Sequence, residues 1–135
     1  MTGCPIAFAL DILGDKWSLL IVRDMLFKGK RNYIEFLESG EKIATNVLAD
    51  RLKRLEANGV IVRNDDPGNR KKVIYSLTDK GMDLLPMLLE MISWGAKYDE
   101  KTAAPQEFLR RLRKDRTGLT DEITSGLRKV RKQRR

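Results

Sequence analysis

The sequence predicts a mainly α-helical fold carrying one small β-hairpin, and three observations predict it. Apolar residues recur at helical spacing along most of the chain, as at Leu48, Leu52 and Leu55. Between Val60 and Leu77 that pattern gives way to two short apolar strands around an Asp66-Pro67-Gly68-Asn69 turn. The length of 135 residues, 41% apolar and 34% charged, suits one soluble globular domain with an appendage. The expected division is a domain over 1–100 and a basic helical extension over 101–135.

In chain order, Pro5 is a good first helical residue, and Ile6, Ala7, Phe8, Ala9, Leu10, Ile12 and Leu13 make a short helix apolar nearly all round. A surface helix of one small domain cannot bury both of its sides, so this helix is expected in a homodimer interface. Asp15 caps a helix from Lys16 to about Phe27, with Trp17, Leu20, Ile21 and Met25 inward. Lys28-Gly29-Lys30-Arg31 is a basic loop, and Asn32 with Glu35 forms a capping box opening a short helix that carries Ile34, Phe36 and Leu37. Ser39-Gly40-Glu41-Lys42 turns into the next helix, which has Thr45 as its expected N-cap and Asn58-Gly59 as its end. The strand Val60 to Arg63 follows, then the turn, the cations Arg70-Lys71-Lys72, and a returning strand with Val73, Tyr75 and Leu77 inward.

Beyond the hairpin, Thr78 caps a long helix reaching about Lys97, with Leu85, Leu88, Leu89 and Ile92 inward and a bend at Pro86. Met82, Met87 and Met91 are expected to pack as adaptable core. Thr102 to Pro105 reads as a hinge. Apolar stripes at Phe108, Leu109 and Leu112, then at Leu119, Ile123, Leu127 and Val130, predict two further helices, frayed from about Arg128.

Composition removes several function classes. The net charge of +8 lies entirely in 101–135, which carries 12 Lys and Arg against 4 Asp and Glu; residues 1–100 carry 15 of each. Nucleic-acid binding by the main domain therefore has to be argued from local patches. One cysteine and no histidine exclude an internal disulfide framework, leave no Cys/His zinc site, and withhold the commonest general base. Neither an enzyme, a metal site nor a cofactor is expected. The run from Pro5 to Leu13 has no basic segment before it and is too short to span a bilayer, so a cytoplasmic protein without membrane contact is expected.

The helix from Thr45 turns Asn46, Ala49, Asp50, Lys53, Arg54 and Ala57 away from its leucine stripe. Two short helices joined by a tight turn, the second with an exposed polar face, form the helix-turn-helix plan, and the hairpin adds a wing. A helix with small and amide residues at its tip can enter a major groove, with Asn46 and Lys53 as base readers. Lys28, Lys30, Arg31, Arg70, Lys71 and Lys72 would then contact phosphates and position the protein. Asp50 would accept from a cytosine amino group or pair with Arg54.

The residues Cys4-Pro5-Ile6-Ala7, Gly14-Asp15-Lys16-Trp17-Ser18-Leu19-Leu20-Ile21, Arg23-Asp24, Ile43 with Val47-Leu48 and Arg51-Leu52, Leu55-Glu56, Gly59-Val60-Ile61, Tyr75-Ser76-Leu77-Thr78-Asp79-Lys80-Gly81 and Trp94-Gly95 resemble the pattern of HxlR-type winged helix-turn-helix regulators of bacteria, similar to MarR-type regulators in plan. The likeness covers about residues 4–97 and leaves the tail outside. It implies a homodimer through the first and long C-terminal helices, with two recognition helices in successive major grooves of operator DNA. By position it implies a groove-facing set of Thr45, Asn46, Ala49, Arg51 and Lys53, with a wing of Asn69 to Lys72. Members repress or activate nearby promoters; the expectation for this chain is repression. Ala44 stands where the family usually carries a capping serine.

Some members sense electrophiles, quinones or oxidants through a cysteine at the position of Cys4. That cysteine precedes Pro5 at a helix N-terminus, where the backbone favours an anion. The competing expectation is a small hydrophobe with no second cysteine to resolve it. The basic end from Arg128 is either a solvating terminus or a non-specific DNA clamp. A function of another class remains as the alternative: an interaction module docking an acidic protein or RNA through hairpin and tail.

Overall fold

The computed structural model describes residues 2–133, apart from the side chains of Arg70, Lys132 and Gln133. Its elements in order are α1 (Pro5–Leu13), α2 (Lys16–Phe27), α3 (Tyr33–Leu37), α4 (Thr45–Ala57), β1 (Ile61–Asp66), β2 (Asn69–Leu77), α5 (Asp79–Met82), α6 (Leu85–Tyr98), α7 (Gln106–Lys114) and α8 (Arg116–Gln133). The mainly helical winged helix-turn-helix that the sequence predicts is present. The chain divides into two compact units, one ending at Gly81 and the next beginning at Met82.

In the first unit, local chemistry sets the helix ends. Asp15 accepts from the amides of Trp17 and Ser18, both at 3.0 Å, and so caps α2. Asn32 and Glu35 form the full capping box at α3. At the end of α4, Gly59 takes φ 73°, its amide donates to Glu56, and the Val60 amide donates to Leu55 at 3.0 Å. This left-handed cap closes the last carbonyls and turns the chain directly into β1. Gly81 is required for a different reason: a Cβ there would lie 2.2 Å from the Val60 carbonyl oxygen.

The core of this unit joins α2, α4 and the hairpin base. Leu48, Leu52 and Leu55 are at most 2% exposed, and Ile21, Val22, Met25, Phe36, Val60, Ile61 and Leu77 are also buried. Full burial of each α4 leucine contributes roughly 1.5–3 kcal/mol from area alone. The hairpin is antiparallel, pairing Ile61 with Leu77 and Arg63 with Tyr75, with an irregularity at Asp65/Asp66.

Inward-facing residues on β2 differ from the expected alternation. Ile74 and Leu77 are buried, whereas Val73 and Tyr75 are half-buried. The cause is that both strand faces have neighbours near the hairpin base. Tyr75 packs its ring on Phe36 at 6.3 Å between centroids, and its amide donates to the Arg31 carbonyl at 2.8 Å.

Two further expectations are corrected. Thr78 accepts from the Gly81 amide at 3.1 Å and starts only α5, because the helix breaks before Pro86. Proline has no N–H and its ring clashes one turn back, so it sits in the first turn of α6 rather than bending a continuous helix. Met82 is core as expected, but Met87 and Met91 are 37% and 51% exposed. They recur with Trp94 and Tyr98 at i, i+4, i+7 and i+11, away from Leu85 and Leu89.

In the second unit α6 packs on α7 and α7 on α8. Leu85, Leu88, Leu89, Leu109, Leu112 and Leu119 are buried. Arg116 pairs with Glu90 and Arg111 with Glu122. Helix α8 runs unbroken through Gln133, so the expected fraying from Arg128 is not found; the last two residues lie outside the described ones. No helix among the described residues is long and apolar enough to cross a membrane.

Candidate nucleic-acid interface

Helix α4 follows α3 through a turn that is firmly held. Lys42 adopts φ 57° within it, left-handed backbone that costs a non-glycine residue about 1 kcal/mol. Arg23 of α2 supplies the restraint. Its Nη1 and Nη2 donate to the two Glu41 carboxylate oxygens at 2.7 and 2.8 Å, and Nη2 also reaches Ser39 Oγ at 3.0 Å. Ser39 in turn donates to Glu41 at 2.7 Å. Behind them Asp24, 2% exposed, accepts from Arg23 at 2.7 Å and lies 3.5 Å from Lys30 Nζ. These bonds from Arg23 and Ser39 hold the Glu41 carboxyl well below the usual carboxylate range, against a smaller opposing effect of burial.

The helix tip differs from expectation by one residue. Ala44, in extended backbone, is the N-cap and has no side chain to cap with, so Thr45 is the first helical residue. The first-turn amides of α4 thus have no side-chain cap, as suits a helix end that meets an anion. Tyr33 Oη donates to the Thr45 carbonyl at 3.0 Å and ties this tip to α3.

Thr45, Asn46, Ala49 and Lys53 are all exposed; Asn46, Ala49 and Lys53 turn away from the buried leucines, and Thr45 stands at the helix tip. Arg51 is elsewhere. Its Nε donates to Asp15 Oδ1 at 2.9 Å, and Nη1 pairs with Asp50. Asp50 is therefore partnered by Arg51, which was neither of the two roles expected of it. The Asp15 carboxyl is held below its ordinary value: burial pushes it up, and bonds from Ser18 and Arg51 together outweigh that.

The wing extends as a two-stranded ribbon from the same unit. Gly68 donates to Asp66 at 2.9 Å and Lys71 to Asn69 at 3.1 Å, which folds the tip on its own side chains. Asn69, Lys71 and Lys72 are exposed; the Arg70 side chain lies outside the described residues. In the basic loop Lys28 is exposed, Arg31 is half-buried, and Lys30 is engaged by Asp24.

The sequence gives no sign that Arg51 and Lys30 are held internally, or that Arg23 braces the turn. Arg51 with Asp15 and Arg23 with Glu41 join residues 36 and 18 apart in the chain, and no periodicity encodes either. Cys4 is a free, exposed thiol at the N-cap of α1, its carbonyl accepting from the Phe8 amide at 3.0 Å. It is not the buried small hydrophobe that was the competing expectation.

Comparison with known proteins places this geometry in context. Residues 12–103 match the model of the HxlR-like helix-turn-helix family. YdeP of Bacillus subtilis, named as an uncharacterized HTH-type transcriptional regulator, is 38% identical over 99 residues, which span 73% of this chain and 77% of that protein. The reduced form of the transcriptional regulator YodB from the same organism superposes with a TM-score of 0.59 at 36% identity, covering 73% of this chain and 97% of that one. YodB is also known in diamide-treated and quinone-bound crystal structures. The redox regulator HypR in its oxidized form gives a TM-score of 0.63 at 34% identity, covering 72% and 99%. With the matched region spanning the helix-turn-helix, the wing and α6, the chain belongs to the HxlR-like helix-turn-helix family of transcription regulators.

Proposed function

We propose that this protein represses transcription by binding operator DNA as a homodimer. The observation that carries the reading is the exposed surface of α4, where Thr45 at the tip and Asn46, Ala49 and Lys53 along the helix stand clear while its leucine stripe is buried. Two such helices would enter successive major grooves, with half-sites about 34 Å apart. Asn46 suits adenine and Lys53 guanine. Lys28, Arg31, Asn69, Arg70, Lys71 and Lys72 serve as phosphate contacts, while Arg51 and Lys30 position the helix and the loop from within.

The homodimer has its own support. On α1, Ile6, Phe8 and Leu10 are 71%, 63% and 58% exposed. On α6, Met87, Met91, Trp94 and Tyr98 form a second exposed apolar stripe. Uncovered stripes of this kind mark interfaces, and a second copy of the chain is the partner that each suits.

Small-molecule or oxidant control is proposed through Cys4. Its support is the exposed thiol at the N-cap of α1 together with the oxidant- and quinone-treated states of YodB. With one cysteine per chain, the oxidised product is an intersubunit disulfide or a mixed thiol adduct. Sedimentation of the free protein and of its complex with DNA from upstream of its own gene tests the reading. The expected result is a dimer that binds one site per dimer; a monomer on DNA would contradict it.

A further inference from the structure

We propose that the groove between α6 and α7 binds a small organic carboxylate with a compact apolar body, as an effector site separate from Cys4. The groove encloses about 260 Å³ and is lined by Ser93, Ala96 and Lys97 from α6 and by Leu109, Leu112 and Arg113 from α7. Its floor is apolar, since Leu109 and Leu112 are 7% and 2% exposed, while Lys97 and Arg113 bring positive charge to its walls. A concave apolar site with a few convergent polar groups is the general form of a small-molecule pocket.

The charges decide the ligand class. In this unit Glu107 pairs with Arg110, Glu122 with Arg111 and Glu90 with Arg116, whose Nη2 also lies 3.4 Å from Ser93 Oγ. Lys97 and Arg113 are in none of the ion pairs of this unit among the described residues, and the Lys97 ammonium lies over the Tyr98 ring, at 5.4 Å. Two cations left over beside an apolar floor suit one carboxylate joined to a hydrocarbon chain or a single ring. The volume is too small for a helix of a partner protein. Ser93 and Ala96 lie on the side of α6 away from Met87, Met91 and Trp94, while Lys97 borders that stripe with its ammonium over the Tyr98 ring.

The α7 wall lies beyond residue 103, where the family match ends. The site therefore joins one wall from the matched region, on α6, to one wall from beyond it, on α7. Its role as an effector site rests on the regulator reading, but occupancy does not, and the test reads the two apart. Hexanoate and benzoate are titrated into the full-length protein without DNA, following thermal stability and the methyl resonances of Leu109 and Leu112, with benzyl alcohol and benzylamine as controls.

The expected result is saturable binding of both acids, a rise in Tm with ligand concentration, and no binding of the neutral or cationic analogues. Lys97→Gln and Arg113→Gln should each weaken binding about tenfold, as loss of a charge-assisted bond does, with Arg113→Lys in between. No saturable binding up to the order of 10 mM would overturn the proposal, as would equal binding of benzyl alcohol or undiminished, wild-type affinity in both glutamine variants. A subsequent change in operator affinity with benzoate present would show the site to be regulatory; unchanged affinity would overturn the effector role.

Discussion

Arg51 of the recognition helix donates from Nε to Oδ1 of Asp15, the N-cap of α2, at 2.9 Å. One carboxylate thus closes the first turn of α2 and anchors α4 against it. The same carboxylate accepts from the amides of Trp17 and Ser18 and from the Ser18 hydroxyl at 2.7 Å. The two roles separate by mutation. Asp15→Ala removes both cap and anchor and should cost about 1–2 kcal/mol. Arg51→Met removes only the anchor, a partly exposed pair, and should cost less than about 1 kcal/mol. Urea unfolding measures both, and equal costs would show that the cap contributes nothing.

Glu41 gives the fold an acid-sensitive brace. Its carboxyl in the folded protein sits below the ordinary value of 4.5, chiefly because Arg23 donates to it. The ionised form therefore stabilises the fold. That contribution is complete above pH 4.5 and is lost as pH falls below it. Because the pair is part-exposed, the expected loss is about 1 kcal/mol or less. Stability measured across this window should fall more steeply for the wild type than for Glu41→Gln, and parallel curves would remove Arg23 as the brace of the turn.

Base readers and phosphate contacts should respond differently to mutation. Lys53→Ala and Asn46→Ala should relax preference at one base pair each, by about 1–3 kcal/mol, with little change in salt dependence. Lys71→Ala and Lys72→Ala should weaken all sequences alike and each lower the salt slope by about 0.9. Competition titrations against a panel of single-base operator variants, repeated at three salt concentrations, distinguish the two classes.

Much of this molecule was legible in sequence because its local signals are strong. Asp15, Asn32 with Glu35, and Asn58-Gly59 mark helix ends by side-chain chemistry that acts within four residues, and the leucine spacing of α4 fixes which side is exposed. Failures occurred where a distant partner decides. Arg51 enters the groove-facing set through the family resemblance and not by its place on the helix, and an aspartate 36 residues earlier holds it. Ile74 is buried because α2 and α3 give β2 neighbours beyond its hairpin partner, which strand alternation cannot express. Met87 and Met91 read as core because apolar residues at helical spacing look the same whether a neighbour in the chain or a second copy covers them.

That second copy is testable at one side chain. Trp94 is 71% exposed and packs its ring on Tyr98, with ring centroids 5.4 Å apart. Trp94→Asp should leave the circular dichroism of the chain intact and shift it to monomer, since a charge there would be buried in the interface. A variant that stays dimeric would move the interface away from α6.

Cys4→Ser should bind DNA like the wild type but no longer release it when treated with diamide or quinone. Mass spectrometry of the treated wild type should show a Cys4 dimer or adduct. Equal release by both proteins would end the thiol-sensing proposal.

The central claim is sequence-specific DNA recognition by α4. Fluorescence anisotropy of the full-length protein on duplex DNA from upstream of its own gene, against a scrambled duplex and over several salt concentrations, tests it most directly. The expected result is preference for the upstream DNA by at least 10³-fold or so, with one dimer per site. Equal, steeply salt-dependent binding to both duplexes and to every other candidate operator would contradict it and assign the affinity to the basic tail.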